Sequence, residues 1–586
     1  MLVLILLSFI LSTSLALPTH NLHNSRIAKR RSSDTPPSGG GESNPVFNEE
    51  CDSVIAGGGT ARLVLANHLT ESGRFSVLVL EAGPSPEQVL SHKSPGGNQF
   101  IQEHLNNRTL QYLPARTLGG SSTTNGLYYA RDSDSVYDHW KAKGNPGCGW
   151  RNVYHLFLSA FTQDYNTWFP SAYGSGPLEL GFQGYVPVST DAFIVAASKA
   201  ANIPVVEDLN TGSGVGIKHG TGTLSSRLRR GSSYDGFYQQ ARNRTNLNVL
   251  HDAPVTGVVM SEASGNRTLP RAIGVSYVNQ LTGFPQCLRA CILIVHQGIG
   301  PADELKRVGI EPLVVNDNAN SLQNPVSTTT PSSASWRAPK TKPQQQTCRA
   351  HQKTLREVQT LYHTNLTGPY IAPPGITNGF QKLTEQQLRN IGAQGVIDAG
   401  LANQSHIEYL FGSVWYPWIP TPYWAPLPNG SYISVTASSM VQLSRGTVSL
   451  RSASLSDSPL INSNYYAHPT DGAIGVESFK YVRKILCHPA LQRYMIGDFN
   501  GEVSPGPVVA DDDDDAILEF IRANTIPNWH ATDTNWMLPL EDGGVLQVID
   551  CSIMPVMPDV NILASIYMVA EKGAEMLRED WGDDGY

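Results

Sequence analysis

The feature that most limits how this chain can fold is a glycine-rich turn between two apolar runs near its start. The run Ser53–Ala56 leads into Gly57-Gly58-Gly59-Thr60-Ala61-Arg62, and an amphipathic stretch, Thr60–Thr70, leads to a second run, Ser76–Leu80, which ends at Glu81. Short apolar runs on either side of an amphipathic stretch are typical of two strands joined by a helix. The sequence therefore predicts an α/β unit of the Rossmann type.

The same unit has the spacing of a dinucleotide-binding site. Gly57 permits the tight turn, and Gly59 lets backbone N–H groups approach a pyrophosphate. The helix that follows presents its positive N-terminal end to the phosphates. Glu81, 24 residues after Gly57, is placed to accept hydrogen bonds from a ribose. We therefore predict a dinucleotide site that contains Gly57, Gly59, Thr60, Ala61, Glu81 and Ala82.

One position departs from this motif. The third glycine, which normally allows close packing of the helix on the strand, is replaced by Arg62. An arginine there must either point outward or separate the helix from the strand. We expect it to weaken cofactor binding.

Further motifs follow along the chain. Arg116–Gly126 (RTLGGSSTTNG) is a loop of small residues, which suits a backbone that must approach a flat ring closely. The later motifs are Trp140, 144–147 (GNPG), 444–448 (SRGTV), 464–466 (NYY) and 527–530 (PNWH). In this order, over about residues 50–580, they resemble the glucose–methanol–choline (GMC) family of flavin-dependent oxidoreductases. The phrases at 501–507 and 550–555 are most similar to fungal secreted members, including aryl-alcohol oxidases and patulin-synthase-like enzymes.

The resemblance implies FAD as the cofactor and adds residues to its site. Asn125 can hydrogen-bond the cofactor, and Val255 matches a position where family members offer backbone groups to the adenine. The further FAD-binding residues that the resemblance implies are Leu118, Gly119, Ser121, Asn125, Gly126, Leu127, Tyr128, Val255, Asp550 and Cys551.

The resemblance also implies how the 586 residues are divided. A Rossmann-like FAD-binding domain is assembled from residues 49–150, 225–325 and 525–580. A substrate-binding domain, an α+β part built on an antiparallel sheet, is intertwined with it and comes from residues 151–224 and 326–524. The expected fold class is therefore α/β with an α+β substrate part, and two joined domains agree with a length that exceeds one ordinary core.

Several local patterns make narrower predictions. Leu247–His251 and Val255–Met260 read as strands, and Ser327–Gln346 reads as an exposed loop. The aromatic-rich stretch Tyr409–Trp424 is equally consistent with a substrate pocket and with core packing. Five acids, Asp511–Asp515, precede an amphipathic helix over Ala516–Ala523, and they favour a solvated first helix turn over a calcium site.

The chemistry implied by the family centres on His530. When an alcohol is oxidised by hydride transfer to flavin, the hydroxyl proton must also leave, and histidine has a pKa suited to accept it. The family places a second histidine or an asparagine opposite this base, and here the position is Asn561. An asparagine amide can donate a hydrogen bond to the developing alkoxide but cannot take its proton. The small-molecule alcohol would therefore meet one base, with oxygen or another acceptor reoxidising the flavin.

The chain also carries signs of a secretory route. Met1–Ala16 is a short apolar segment with a small-x-small end, which predicts a signal peptide rather than a membrane span. Residues 17–48 are polar, with a basic cluster at 29–31, and predict a disordered leader. No later apolar run is long enough to cross a bilayer. Six glycosylation sequons agree with this route, at Asn107, Asn243, Asn266, Asn365, Asn403 and Asn429.

Charge and cysteine content exclude other classes. The net charge of −8 gives no reason to expect nucleic acid as a partner. Seven widely spaced cysteines predict at most one or two disulfides and at least one unpaired thiol. Cys287 and Cys291 lack a second ligand pair with zinc-like spacing, so no metal site is predicted.

Three departures keep alternatives open. The first half of the family's second signature is missing before 296–301 (HQGIGP), about a dozen residues are absent between Val545 and Val548, and a usual Asp-His has become Asn324-Pro325. Each gap removes part of a strand or a cofactor contact. The leading hypothesis is a secreted FAD-dependent oxidase or dehydrogenase for a small aromatic or polyketide-derived alcohol. The alternatives are a non-redox cyclase on the same fold, similar in principle to versicolorin B synthase, and an inactive member.

Overall fold

The computed structural model describes most of the chain from residue 50 to residue 583. The described residues are 50–88, 98–112, 115–163, 172–182, 184–260, 272–278, 298–315, 377–412, 431–455, 457–495, 502–506, 508–533 and 548–583, with short pieces at 3–4, 323–324, 328–329, 334–338, 360–361 and 364.

Several predicted features lie outside these residues. They are nearly all of the signal peptide, the leader, most of the loop Ser327–Gln346, the three cysteines Cys287, Cys291 and Cys348, and the sequons Asn266, Asn365 and Asn429.

A parallel sheet contains the predicted dinucleotide unit. Its strands are Val3–Leu4, Ser53–Ala56, Val77–Leu80 and Leu247–Leu250, in that spatial order. The last three are rich in apolar residues, and Ser53–Ala56 and Val77–Leu80 are buried throughout. Because parallel strands end at one edge, the residues that follow Ala56, Leu80 and Leu250 meet there.

Helices cover one face of this sheet. We call Thr60–Leu69 the turn helix and Leu563–Asp580 the C-terminal helix. Both pack with a third helix, Trp150–Ala160, in one hydrophobic core, and every turn-helix residue except Arg62 and His68 is buried. The predicted strand, turn, helix and strand are therefore confirmed.

The second large unit is a six-stranded antiparallel sheet, which we call the large sheet. Helix Pro469–Leu486 packs on it, and its core contains Ile433, Val435 and Tyr409. The Rossmann-like unit with a separate antiparallel sheet confirms the predicted fold class, whereas the domain boundaries stay a prediction. In spatial order the strands are Glu502–Ser504, Ala334–Ala338, Ser431–Ser439, Ile407–Gly412, Asn378–Gln381 and Gly216–Ile217.

Shorter elements complete the described chain. The remaining strands are Asn98–Gln102, Arg108–Tyr112, Tyr128–Tyr129, Phe161–Gln163, Leu178–Phe182, Thr221–Gly222, Val255–Met260, Ala272–Tyr277, Ile299–Gly300, Val314–Val315, Gln323–Asn324, Thr328–Thr329, Gly446–Ser449, Leu460–Asn462 and Ile526–Pro527. The remaining α-helices are Asp134–Ala142, Thr190–Ala200, Gln239–Ala241, Ala302–Arg307, Glu385–Asn390, Gln394–Asp398, Pro489–Gln492 and Asp514–Asn524.

The acidic run is exposed and begins a helix, as predicted, and its side chains also make specific contacts. Asp513 caps helix Asp514–Asn524 by accepting from the Ala516 N–H at 2.9 Å. Asp514 pairs with Lys480, and Asp511 pairs with Arg483 at 2.7 Å. The run therefore joins this helix to the long helix that packs on the large sheet.

Two features are absent from the described residues. Within the parts of the chain given above, no helix has the length and apolar character needed to span a bilayer. The same parts hold no group of three His, Cys, Asp or Glu side chains arranged for a metal ion.

Candidate cofactor and active site

The glycine turn, Gly57–Gly59, has the backbone geometry that the motif requires. Gly57 has φ +98°, a left-handed conformation that favours glycine. Its N–H donates to the Leu80 carbonyl at 2.7 Å, which fixes the turn to the neighbouring strand. A side chain on Gly58 would collide with Leu118, because an added Cβ would lie 2.5 Å from that leucine's Cδ2. Leu118 therefore packs directly against the backbone of the turn at Gly58.

Glu81 holds the glycine turn in place. Its carboxylate accepts from the Gly58 N–H and from the Gly83 N–H, each at 2.7 Å. Burial raises the pKa of Glu81, while these two N–H groups and the nearby Arg62 and Arg116 oppose the rise. Each carboxylate oxygen can accept a second hydrogen bond. Glu81 therefore keeps acceptor capacity for a ribose and also has a structural role that the sequence did not reveal.

The N-terminus of the turn helix is open. Gly59 is its N-cap and offers no side chain, and among the described residues no side chain caps the first turn. The first N–H groups of a helix have no acceptor within the helix, so those of Thr60, Ala61 and Arg62 are available to an anion. An open positive helix end beside a ribose acceptor fits FAD, whose diphosphate and adenosine ribose need these two partners.

The loop of small residues lies directly against the glycine turn. Gly119 and Gly120 both have positive φ, and Gly119 donates its N–H to the Gly58 carbonyl at 2.8 Å. A Cβ on Gly120 would lie 2.8 Å from the Cα of Gly59, so the two backbones touch. The Thr60 hydroxyl donates to the Gly119 carbonyl at 3.2 Å. The predicted residues Leu118 and Gly119 are thus brought to the turn.

The end of this loop is held by an arginine that the sequence did not single out. Arg230 donates to the Asn125 backbone carbonyl at 2.8 Å and to its side-chain Oδ1 at 2.6 Å. The Asn125 oxygen is therefore occupied, and its Nδ2 is the atom left to meet a cofactor. Leu127 has φ +71°, which redirects the chain into the strand that holds Tyr128. Ser121 and Gly126 are exposed.

The predicted adenine-side residues meet at the edge of the parallel sheet. Ala253 donates its N–H to the Glu81 carbonyl at 2.8 Å, two residues before Val255. Val255 is buried and begins the predicted strand Val255–Met260. The Ala82 carbonyl accepts from Arg116 Nε at 2.9 Å. Val255 and Ala82 therefore lie on the same side of the sheet as Glu81.

The C-terminal segment reaches the glycine turn through an ion pair. Arg62 Nη2 donates to Asp550 Oδ2 at 2.8 Å, across 488 positions of sequence. Asp550 also caps the short helix that begins at Cys551, by accepting from the Ser552 N–H and hydroxyl. Both predicted C-terminal cofactor residues are thus close to the turn in space. Arg62 points outward and does not separate the helix from the strand, which is the first of the two alternatives expected from the sequence. The helix stays packed on the sheet.

His530 lies three residues after strand Ile526–Pro527 and has no described hydrogen-bond partner for its Nδ1. Burial lowers the pKa of His530 to about 4. Asn528 Nδ2 and Thr532 Oγ1, on the same segment, are also buried without a partner among the described residues. Buried polar atoms normally have hydrogen-bond partners, so a segment in which several lack a described partner is expected where a polar ligand binds.

Asn561 precedes the C-terminal helix, and its Oδ1 is likewise buried without a described partner. The neighbouring Val560 packs in one cluster with Leu127 and Tyr128. This contact places the Asn561 segment beside the end of the small-residue loop. No hydrogen bond between described residues joins Asn561 to His530.

Two buried aspartates hold the Asn561 segment in place, and no sequence motif pointed to them. Asp132 accepts from the Val560 N–H at 3.0 Å, and Asp559 accepts from the Ser133 N–H at 2.9 Å and from the Ser405 N–H at 2.7 Å. Burial raises the pKa of both carboxyls, and the charge of Asp559 raises that of Asp132 further. The two segments are therefore tied by reciprocal bonds. Nothing in the one-dimensional pattern brings residues 132 and 559 together.

The aromatic-rich stretch divides at the boundary of the described residues. Tyr409 and Phe411 are buried in the core of the large sheet, where Phe411 stacks on Phe193 and the Tyr409 hydroxyl donates to Gln381. These two residues serve core packing. The aromatics at 415–424 lie outside the described residues.

Comparisons with known proteins identify the family of this chain. Two models described as GMC oxidoreductase match residues 51–297 and 442–570. Dehydrogenase eriK of Hericium erinaceus is 26% identical, covering 90% of this chain and 94% of that protein. Pyranose dehydrogenase 3 of Leucoagaricus meleagris is 24% identical, covering 90% and 93%.

A solved structure shows the same fold. It is an FAD-dependent oxidoreductase from Chaetomium thermophilum, which superposes with a TM-score of 0.73 at 24% identity and covers 90% of this chain and 99% of that one. The two family models match most of the chain, and the open N-terminus of the turn helix and the carboxylate of Glu81 fit the cofactor. The chain belongs to the GMC oxidoreductase family of FAD-dependent enzymes that act on CH–OH groups.

Proposed function

We propose that this protein oxidises a small aromatic or polyketide-derived alcohol in the secretory pathway or outside the cell, as part of secondary metabolism. The observation that carries the proposed oxidation is the position of the C-terminal segment, whereas the substrate class and the compartment rest on the sequence resemblance. Asp550 contacts the glycine turn through Arg62, and Val560 packs against Leu127 and Tyr128. This segment therefore presents Asn561 on the side of the site where the small-residue loop ends.

In this proposal His530 is the base. Because burial lowers its pKa to about 4, the imidazole is neutral at neutral pH, and a ring nitrogen can accept the proton of the substrate hydroxyl. The Nδ1 atom has no described partner that would compete. Bound FAD supplies the acceptor for the hydride that leaves the carbinol carbon.

Asn561 assists rather than replaces the base. Its Oδ1 has no described partner, so the amide is not committed to another contact through that atom. The Nδ2 group can donate to the oxygen on which negative charge develops. The aspartates Asp132 and Asp559 act on this residue indirectly. Asp132 accepts from the Val560 N–H and Asp559 accepts from the Ser133 N–H, which together hold the two residues just before Asn561.

The compartment gives a prediction of its own. Asn107, Asn243 and Asn403 are exposed, so each described sequon is accessible to glycosylation. We expect the protein made in a fungal host to carry N-glycans and to begin after Ala16 or after Arg31. Mass spectrometry before and after enzymatic deglycosylation measures both. Unmodified asparagines at all three positions in protein recovered from the cytosol would contradict the secretory assignment.

The substrate class is tested by turnover of a panel. Purified protein with bound FAD is given benzylic alcohols, primary aliphatic alcohols and pyranoses, with oxygen and an artificial quinone as alternative acceptors. We expect the highest kcat/KM for the aromatic alcohols. Preference for pyranoses, the substrates in the name of one relative, would contradict the proposed substrate class and leave the family assignment unchanged.

A further inference from the structure

We propose that Arg62 is a binding residue for the diphosphate of FAD, so that the departure from the glycine motif adds a contact. The inference rests on the proposed function only in requiring that FAD binds at the glycine turn. It concerns one side chain that the family motif does not contain.

The position of the guanidinium is the first argument. A Cβ placed on Gly57 would lie 3.0 Å from Arg62 Nη1, and one placed on Gly59 would lie 3.7 Å from the same atom. Arg62 Nη1 therefore lies over the two glycines that the motif keeps free of side chains. Those glycines are small so that a phosphate can approach the backbone. The arginine is thus at the entrance to the open end of the turn helix.

The donors of Arg62 are the second argument. A guanidinium carries five N–H donors in a planar fork, and here Nη2 donates to Asp550 Oδ2. No described residue accepts from Nη1 or Nε. The side chain is about one-fifth exposed, so these donors are partly desolvated, and Nη1 lies over the glycine turn. The fork can bond a phosphate oxygen through Nη1 while Nη2 stays on Asp550.

The charge of Asp550 is the third argument. This carboxylate lies close to the glycine turn, with Oδ1 held by the N–H and hydroxyl of Ser552. An unpaired carboxylate there would repel a diphosphate. Arg62 neutralises it at 2.8 Å. Arg62 therefore favours the diphosphate both by direct attraction and by cancelling a nearby like charge.

This geometry reverses the effect expected from the motif alone. The sequence suggested that Arg62 would disturb helix packing and weaken FAD binding. The side chain points outward instead, and its neighbours Ala61 and Leu63 are buried against the sheet and the loop. We therefore expect replacement of Arg62 by glycine, the usual residue of the motif, to weaken FAD binding.

The test measures FAD affinity directly. The full chain is stripped of FAD, and the dissociation constant is obtained from quenching of flavin fluorescence for the unaltered protein and for Arg62→Gly, Arg62→Met and Arg62→Lys. A charge-assisted hydrogen bond is worth enough to predict roughly 10- to 100-fold weaker binding in Arg62→Gly and Arg62→Met. Arg62→Lys keeps the charge and should lose less. The salt dependence of the dissociation constant should be shallower in the two uncharged variants.

Two further variants separate the contact from a general disturbance. Arg74→Gly removes another arginine, which is itself exposed and pairs with the buried Asp583 at 3.0 Å, and it should leave FAD affinity unchanged. Asp550→Asn combined with Arg62→Gly should recover part of the lost affinity, because it removes the carboxylate charge that Arg62 no longer neutralises and that would repel the diphosphate. A double variant no better than Arg62→Gly would contradict the neutralising role.

The remaining outcomes are decisive. Equal or tighter FAD binding by Arg62→Gly overturns the inference. Binding by Arg62→Gly but not by the unaltered protein shows that Arg62 blocks the site, which also overturns it and leaves FAD as the cofactor of the fold. If neither protein binds FAD, the proposed redox function fails together with the inference.

Discussion

His530→Ala is expected to slow reduction of the bound flavin by roughly a hundredfold or more, the usual worth of a positioned base. The variant removes the ring that we propose as the acceptor of the hydroxyl proton. It leaves the glycine turn and Glu81 untouched, so FAD content and the visible spectrum should change little. Anaerobic stopped-flow measurement with a benzylic alcohol gives the rate of reduction.

A matched control is available. His104 is exposed, and His104→Ala should leave flavin reduction unchanged. Asn561→Ala should cost less than His530→Ala, because it removes one hydrogen bond and keeps the base. Unaltered reduction in His530→Ala would contradict the assignment of the base.

The proposed base also predicts how the rate of flavin reduction depends on pH. The pKa of His530 is lowered to about 4 by burial, so the ring is protonated and inactive as a base only below that pH. The rate of flavin reduction should therefore fall as the pH drops through about 4 and stay level from there to neutrality. A rate that already falls as the pH drops through the ordinary histidine pKa would contradict this, because it would show that a solvated histidine is the base.

Arg483→Met is expected to lower the free energy of unfolding by about 3–5 kcal/mol, the usual cost of breaking a buried ion pair by removing one partner. Arg483 and Glu502 are almost completely buried, and the guanidinium meets the carboxylate at 3.0 and 3.1 Å. Arg483 also pairs with Asp511 and donates to the Val509 carbonyl. It thereby joins the helix Pro469–Leu486 to an edge strand of the large sheet. Denaturant titration at constant excess of FAD measures the change.

Two comparisons isolate the cause. Arg389→Met breaks an exposed pair with Glu385, at 3.0 Å, and should cost less than about 1 kcal/mol. Arg483→Met combined with Glu502→Gln should be more stable than Arg483→Met alone, because it removes the uncompensated buried carboxylate. Equal losses in Arg483→Met and Arg389→Met would contradict the role assigned to the buried pair.

The parts of the fold that were predicted from sequence are those with local patterns. The turn and strands around Gly57 and Glu81 follow from apolar periodicity and glycine spacing. The predicted helix Ala516–Ala523 forms most of the helix that follows the acidic run. The identity of the family followed from ordered phrases spread over the chain. Local pattern and motif order therefore sufficed for the fold class and the cofactor.

The contacts that were not predicted are long-range and polar. The Arg62–Asp550 pair, the reciprocal bonds of Asp132 and Asp559, and the Arg230 contact to Asn125 all join segments distant in sequence. A hydrogen-bonded partner far along the chain leaves no periodicity in a single sequence. The motif and the structure lead to opposite expectations for the effect of Arg62 on FAD binding for the same reason, because the motif shows which residue is missing and not where its replacement points.

The central claim is that the protein removes a hydride from a carbinol carbon and delivers it to bound flavin. The most direct measurement is anaerobic mixing of the FAD-containing protein with a benzylic alcohol and with the same alcohol deuterated at the carbinol carbon. The account predicts that the visible absorbance of the oxidised flavin is bleached by both and more slowly by the deuterated alcohol. Consumption of the alcohol without any bleaching, as a non-redox cyclase would show, or bleaching at equal rates for both alcohols would contradict it.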